Sequence, residues 1–266
     1  MTNPVSSQPQ GKPPPGKLAL APSEIHVWRI GLDAPQSALA SAKTLSPDEL
    51  QRARHFAFER DAQRFVRRRI ALRRILAGYT GVDAGELRFT CEGSGKPCLL
   101  RHACAETVAF NVSHAGGLAL IAVCKDRPVG VDVEIVRPLN EMTAIAAHFF
   151  SQGERAALAN LPAEQQTQAF FNGWTRKEAL LKALGHGLSV PLERFEVSLG
   201  PPETARVLSV DGDEVAAAGW SLTVLQPAPG YRAAVAVEST RGRLTCWEYS
   251  VSEDHRAAIR GTRRCA

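Results

Sequence analysis

The sequence predicts an α+β fold of two pseudo-symmetric halves with a site between them. Three observations lead there. Helical and strand signals alternate along the 266 residues without the regular strand–helix–strand rhythm of a parallel sheet. Residues 111–123 and 225–237 echo each other, each reading as a strand, a Gly-containing turn and a small-residue strand near the end of one half. Hydrophobic residues at 44% and charged residues at 22% are globular values, and a chain this long buries a core without disulfides or structural metals. An interface between two halves is a natural place for a ligand.

The elements follow in order. Residues 1–17 read as a flexible tail, because Pro4, Pro9, Pro13, Pro14 and Pro15 stand among Ser, Gln and Gly with no apolar period. Residues 18–135 form the expected N-terminal half, 136–250 the C-terminal half, and 251–266 a second flexible tail. Residues 25–30 alternate as a strand, with Ile25, Val27 and Arg29 against His26, Trp28 and Ile30. Ser46-Pro47-Asp48-Glu49 starts a helix, with Ser46 as cap, Pro47 at the first position and Glu49 closing a capping box. A second helix covers 61–79. Strands are expected over 108–112, 118–124 and 129–135, and a helix over 144–150. Ser151 and Glu154 make a second capping box. Pro162 opens a long helix that ends at Gly185, and strands follow at 195–199, 221–225, 233–238 and 244–249.

Several function classes drop out. The longest apolar run, 118–124, is far short of the roughly 20 residues of a membrane-spanning helix. The first residues lack a secretory pattern. The six cysteines form no C-x-x-C and no zinc-ribbon spacing, which points to reduced thiols and a cytoplasmic protein.

Charge concentrates between Arg52 and Arg74, where nine arginines face two acids, although the whole chain carries only +5. Ala62, Phe65, Val66, Ile70, Leu72, Ile75 and Leu76 give that segment a core face at helical spacing, and Arg69 falls on or near it, so Arg69 needs an anionic partner. No helix-turn-helix, zinc-finger or RNA-binding pattern accompanies the charge, and aromatics are only 6%, which disfavours nucleic acid. A solvated basic face and a contact to phosphate or an acidic protein both stay open; arginine's planar fork suits the second.

The acidic motifs carry more. In Gly130-Val131-Asp132-Val133-Glu134, residues two apart share a strand face, so Asp132 and Glu134 project together while Val131 and Val133 face the core. Paired hard oxygens favour Mg²⁺. On the long helix, Trp174, Glu178 and Lys182 repeat at i, i+4 and i+8 on a largely apolar side; a plain Glu178–Lys182 helix pair does not explain the shared Trp174 face. Gly93-Ser94-Gly95-Lys96-Pro97 is a Gly-rich turn with a lysine, but not a Walker loop. Phe110-Asn111-Val112-Ser113-His114 ends a strand without a serine-hydrolase elbow.

The order of these motifs resembles the 4′-phosphopantetheinyl transferase superfamily, in its Sfp-type, single-chain, two-half branch. The motifs are Gly95-Lys96-Pro97, Asn111-Val112-Ser113-His114, Gly130 to Glu134, Phe149-Phe150-Ser151 with Glu154, and Trp174 with Lys177-Glu178-Ala179 and Lys182. The resemblance runs from about Leu45 to Val237. It implies transfer of the phosphopantetheine arm of coenzyme A to a serine of an apo acyl or peptidyl carrier protein, an acidic helical domain. Adenosine 3′,5′-bisphosphate is released. It implies Mg²⁺, with Mn²⁺ as alternative, held by Asp132, Glu134 and Glu178, and Lys182 on the phosphates. Gly95, Lys96, Pro97, Asn111, Ser113 and His114 would line the coenzyme A pocket, with Arg52 and Arg64 as basic contacts. Glu178 or Glu154 would take the serine proton. Phe65 departs from a small polar contact of some members. Carriers of polyketide, nonribosomal peptide or siderophore assembly, no nucleic acid or membrane partner, and a monomer are expected.

Overall fold

The computed structural model describes residues 18–33, 43–91, 96–100, 108–185, 190–201, 204–238 and 242–250. The expected tails 1–17 and 251–266 lie outside them. The strands are β1 Glu24–Gly31, β2 Phe89–Cys91, β3 Pro97–Leu99, β4 Val108–Ala115, β5 Leu118–Lys125, β6 Val129–Ile135, β7 Phe195–Val197, β8 Val207–Val210, β9 Trp220–Leu225, β10 Tyr231–Glu238 and β11 Arg243–Tyr249. The helices are α1 Pro47–Arg54, α2 Glu59–Thr80, α3 Met142–Phe149, α4 Gln152–Ala159, α5 Ala163–Leu184 and the single turn α6 Glu214–Ala217.

One sheet runs β11-β1-β5-β4 and the other β6-β10-β9. The sequence echo is a structural repeat. β1-β5-β4 and β6-β10-β9 are both antiparallel threes, each containing one echoed hairpin. Helices α2 and α5 both have 22 residues, and both stop at a glycine with φ 74°, Gly81 and Gly185, where a side chain would be strained. A short hairpin, β2-β3 or β7-β8, follows each helix. Strand β6, placed in the N-terminal half by sequence, is hydrogen-bonded into the second sheet, so the repeat begins at Val129. The short elements β2, β3, β8 and α6 escaped the sequence reading because three or four residues show no usable period.

Four layers result. On one side Leu72, Ile75, Leu76 and Tyr79 of α2 pack on Trp28, Ile30, Phe110 and Ile121. Between the sheets lie Ile25, Val27, Leu120 and Ala122 from the first and Val131, Val133 and Val235 from the second. On the far side Ala179 and Ala183 of α5 pack on Ala234 and Ala236. Both sheets are therefore covered on both faces, and β5 is buried along all but its last residue.

The approach of α5 is set by Gly130. A Cβ there would overlap the Ala179 carbonyl oxygen and the Ala183 amide nitrogen, both backbone atoms that cannot swing aside. The sheets meet along β4 and β6, where side chains replace a backbone ladder. Asn111 Oδ1 accepts the Val131 N–H at 3.0 Å and Ser113 Oγ the Val133 N–H at 3.3 Å.

Arg69 has its anion. Glu49, the capping-box residue of α1, accepts from Arg69 and, at 2.7 Å, from Arg73 Nε; it also accepts the Ser46 N–H. Arg73 further donates to the Ala84 and Leu87 carbonyls, and both guanidiniums lie over Phe89. Part of the basic segment is thus architectural. Cys124 and Cys246 are free thiols. Among the described residues, no helix is long and apolar enough to cross a membrane.

Two predictions follow from this packing. Gly130→Ala should cost about 2 kcal/mol or more by overpacking α5 against β6, read as a lower urea midpoint at unchanged slope. His26 is buried, with Nδ1 2.7 Å from the Tyr79 hydroxyl, and burial lowers its imidazole from 6.5. As pH falls below that value the unfolded chain takes the proton first, so this contribution to stability is present above pH 6.5 and declines on acidification. Melting temperatures from pH 7.5 to 5.5 should show the decline, and His26→Phe should flatten it.

Candidate active site

Strand β6 presents Asp132, which is 3% exposed. Its Oδ1 accepts from Lys182 Nζ at 2.6 Å and from Ser113 Oγ at 2.9 Å, and Lys182 Nζ also reaches Ser113 Oγ at 3.2 Å. Three elements, β4, β6 and α5, meet in this cluster. Lys182 therefore crosses to β6 instead of pairing only along its helix with Glu178. The stripe read from sequence is real: Trp174, Glu178 and Lys182 are half-buried, while residues 175–177 and 179–181 between them are buried. Trp174 anchors its end of the stripe against Phe149 and Phe170.

Glu134, on the Asp132 face of β6, is pushed up to about 7, first by burial and then by the Asp132 and Glu178 carboxylates, with Lys182 opposing. Burial likewise raises the Glu178 carboxyl, with Lys182 opposing and Asp132 adding. Three carboxylates share one field with a single close ammonium. Their fit to a divalent cation rests on Asp132 Oδ2, which is buried and has no hydrogen-bond partner. A hard cation beside that oxygen would satisfy it and relieve the mutual repulsion. Among the described residues the carboxylates are not drawn into a preformed three-ligand cluster; Lys182 holds Asp132 instead.

His114 follows Ser113 on β4. It is exposed on that strand, and desolvation, then the Arg68 and Lys182 charges, lower its imidazole. Arg52 and Arg68 both lie over Phe65, at 5.5 and 5.8 Å from the ring centre.

Other expected site residues have different partners. Arg64 grips Asp33 through two bonds of 2.6 and 3.0 Å. Lys96 Nζ donates to the Val129 carbonyl at 3.1 Å and the Ala183 carbonyl at 3.3 Å, tying β6 to the end of α5. Pro97 opens β3 at an exposed position, and Gly95 lies outside the described residues. Asn111 is buried in the seam. Glu154 is 1% exposed, and its oxygens accept from Lys177 Nζ at 2.5 Å, the Ser151 N–H at 2.8 Å and the Val197 N–H at 2.8 Å. Closed in by these three bonds and almost unexposed, Glu154 has no open face for a substrate hydroxyl. Lys177, also fully buried, is its counter-ion.

Sequence reasoning left Gly130 without a role. A glycine inside a strand does signal close backbone approach.

Residues 128–236 match the family model described as the 4′-phosphopantetheinyl transferase superfamily, and residues 33–126 match the 4′-phosphopantetheinyl transferase N-terminal model. The chain is 42% identical over 238 residues to the 4′-phosphopantetheinyl transferase HetI of Nostoc sp., covering 89% of this chain and 97% of that one. It is 31% identical over 176 residues to the 4′-phosphopantetheinyl transferase Sfp of Bacillus subtilis, covering 65% and 76%. It is 28% identical over 171 residues to the human L-aminoadipate-semialdehyde dehydrogenase-phosphopantetheinyl transferase, covering 61% and 55%. With both halves matched and the paired acidic motifs brought together across β6 and α5, the chain belongs to the 4′-phosphopantetheinyl transferase superfamily, as an enzyme of the Sfp type.

Proposed function

We propose that this enzyme transfers phosphopantetheine from coenzyme A to the serine of an acidic, helical apo carrier protein, requires Mg²⁺ or Mn²⁺, and releases adenosine 3′,5′-bisphosphate. The observation that supports this most is the orphaned Asp132 Oδ2 beside Glu134, Glu178 and Lys182. Asp132, Glu134 and Glu178 are the residues that would hold the cation. Bound there, it neutralises charge on the pyrophosphate.

The chain's own groups supply the rest. The carrier serine Oγ forms a bond to the pyrophosphate phosphorus on the pantetheine side. The bond from that phosphorus to the bridging oxygen breaks, and the electron pair leaves on adenosine 3′,5′-bisphosphate. Lys182 Nζ exchanges Asp132 Oδ1 for phosphate oxygens and neutralises charge as that bond breaks. Glu178 accepts the serine proton, directly or through one water. Glu154 is instead the core partner of Lys177, set by its three acceptor bonds. The enzyme is proposed to act in the cytoplasm as a monomer.

Intact-mass spectrometry of an apo carrier incubated with the enzyme, coenzyme A and Mg²⁺ should show a gain of one phosphopantetheine, abolished by EDTA. No gain on carriers of several classes would refute the proposal. Glu178→Gln should slow transfer by about 100-fold or more at near-normal stability. Glu154→Gln should instead lower stability by about 3 kcal/mol, because it strands the buried Lys177 ammonium.

A further inference from the structure

The acidic cluster has two ends. At one, Lys182 is bonded to Asp132. Away from it, α5 continues through Glu178 to Trp174 at one-turn steps, and β6 continues through Glu134 to Arg137, two residues past its end. Strand β10 begins at that second end. The Val136 N–H donates to the Gly230 carbonyl at 2.8 Å, and Arg232 stands directly opposite Glu134. Opposite residues of an antiparallel pair share a face, so Arg232 lies on the face of Asp132 and Glu134. Its Nη1 donates to the Tyr231 carbonyl at 3.0 Å. Arg137 is exposed, and its charge reaches the Glu134 carboxylate. Among the described residues neither arginine has an ion pair, whereas Arg29, Arg64, Arg69 and Arg73 each hold an acid.

The reaction gives the two ends different tasks. In phosphoryl transfer the attacking and leaving oxygens stand roughly in line through the phosphorus. Glu178, which takes the serine proton, and Lys182, which neutralises the leaving side, are one helical turn apart, so the serine arrives from the Glu178 end. That is the end with Trp174, Arg137 and Arg232. An acidic carrier approaching three carboxylates meets repulsion, and guanidiniums without acids at the approach offset it. We propose that Arg137 and Arg232 form the carrier-facing rim of the site, pair with carboxylates beside the reactive serine, and so set which carriers this enzyme accepts. The proposal rests on the transferase reading above. Arginine suits the task because its fork meets a carboxylate through two parallel bonds. Both residues lie on the side of the cluster away from Lys182, so coenzyme A should bind equally well without them.

The test is steady-state transfer to the apo carrier that the wild type modifies best, and to a form of it whose Asp and Glu residues nearest the reactive serine are changed to Asn and Gln. Arg137→Gln combined with Arg232→Gln should raise KM for the acidic carrier about fivefold, with kcat and the KM for coenzyme A unmoved. The rise should shrink as salt increases. On the neutralised carrier the wild type should show the same raised KM, and the double variant no further rise. Should the double variant fail to fold, the exposed Arg137→Gln alone is read the same way, at about twofold. Arg243→Gln, exposed on β11, is the control for diffuse charge. An unchanged KM for the carrier, an equal rise in Arg243→Gln, a further rise on the neutralised carrier, or a parallel rise in the KM for coenzyme A would overturn the assignment of the rim while transfer continues. A wild type that leaves every apo carrier unmodified would overturn the transferase reading beneath it.

Discussion

Strands β4 and β6 lie side by side in different sheets without a backbone ladder between them, and the site depends on how that gap is closed. Two N–H groups of β6, those of Val131 and Val133, face β4 and are buried. Left unmade, each would cost about 1–3 kcal/mol. Asn111 Oδ1 and Ser113 Oγ accept them. Ser113 then donates its own proton to Asp132, so one hydroxyl both joins the halves and orients the carboxylate that anchors the cluster. A hydroxyl is suited to this because it accepts and donates at once. On the far side, Gly130 lets α5 settle against β6, which brings Lys182 within 2.6 Å of the same carboxylate.

The charges divide into those that build and those that face outward. Glu49 with Arg69 and Arg73, and Glu154 with Lys177, are compensated pairs inside the core. Removing one member leaves a buried ion, which explains why they occur as closed sets with additional carbonyl or amide partners. The acidic cluster at β6 is different. Three carboxylates outnumber one ammonium, and one oxygen is buried without a partner. Imbalance of this kind is what a protein keeps where a ligand supplies the remaining charge.

Local signals in the sequence were sufficient for the longer elements and for grouping the acidic residues on shared faces. Both capping-box glutamates reach back to their cap N–H, Gly185 stops the long helix, and the i, i+4, i+8 spacing put Trp174, Glu178 and Lys182 on one half-buried stripe. Period two put Asp132 and Glu134 on one face. What stayed hidden depends on tertiary partners. Asn111, Lys96 and Glu154 are polar residues inside motifs, and motif order alone cannot show that their atoms bond β6, the end of α5 and Lys177. The membership of β6 was hidden for the same reason: a strand between two halves is equally close in sequence to both, and only the ladder to β10 decides.

The repeat is symmetric in topology and asymmetric at its edges, and the asymmetry locates the site. Strand β1 pairs with β5 as β6 pairs with β10. Aligning the two echoed hairpins makes Arg29, opposite Leu120, the counterpart of Asp132, opposite Ala234. The outer edge of β1 is occupied by β11 in a full parallel ladder, and Arg29 is paired there with Glu248 at 2.5 Å. Among the described residues, the outer edge of β6 has no such strand. Its N–H groups are met by β4 side chains, and its charged residue is left with a free oxygen. An unpaired edge ordinarily invites association with another chain. Here β4 and α5 pack against that edge, and their Ser113 and Lys182 side chains meet Asp132 on it. The repeat gives the scaffold, and the strand that covers only one of its two copies leaves the other copy's edge to side chains.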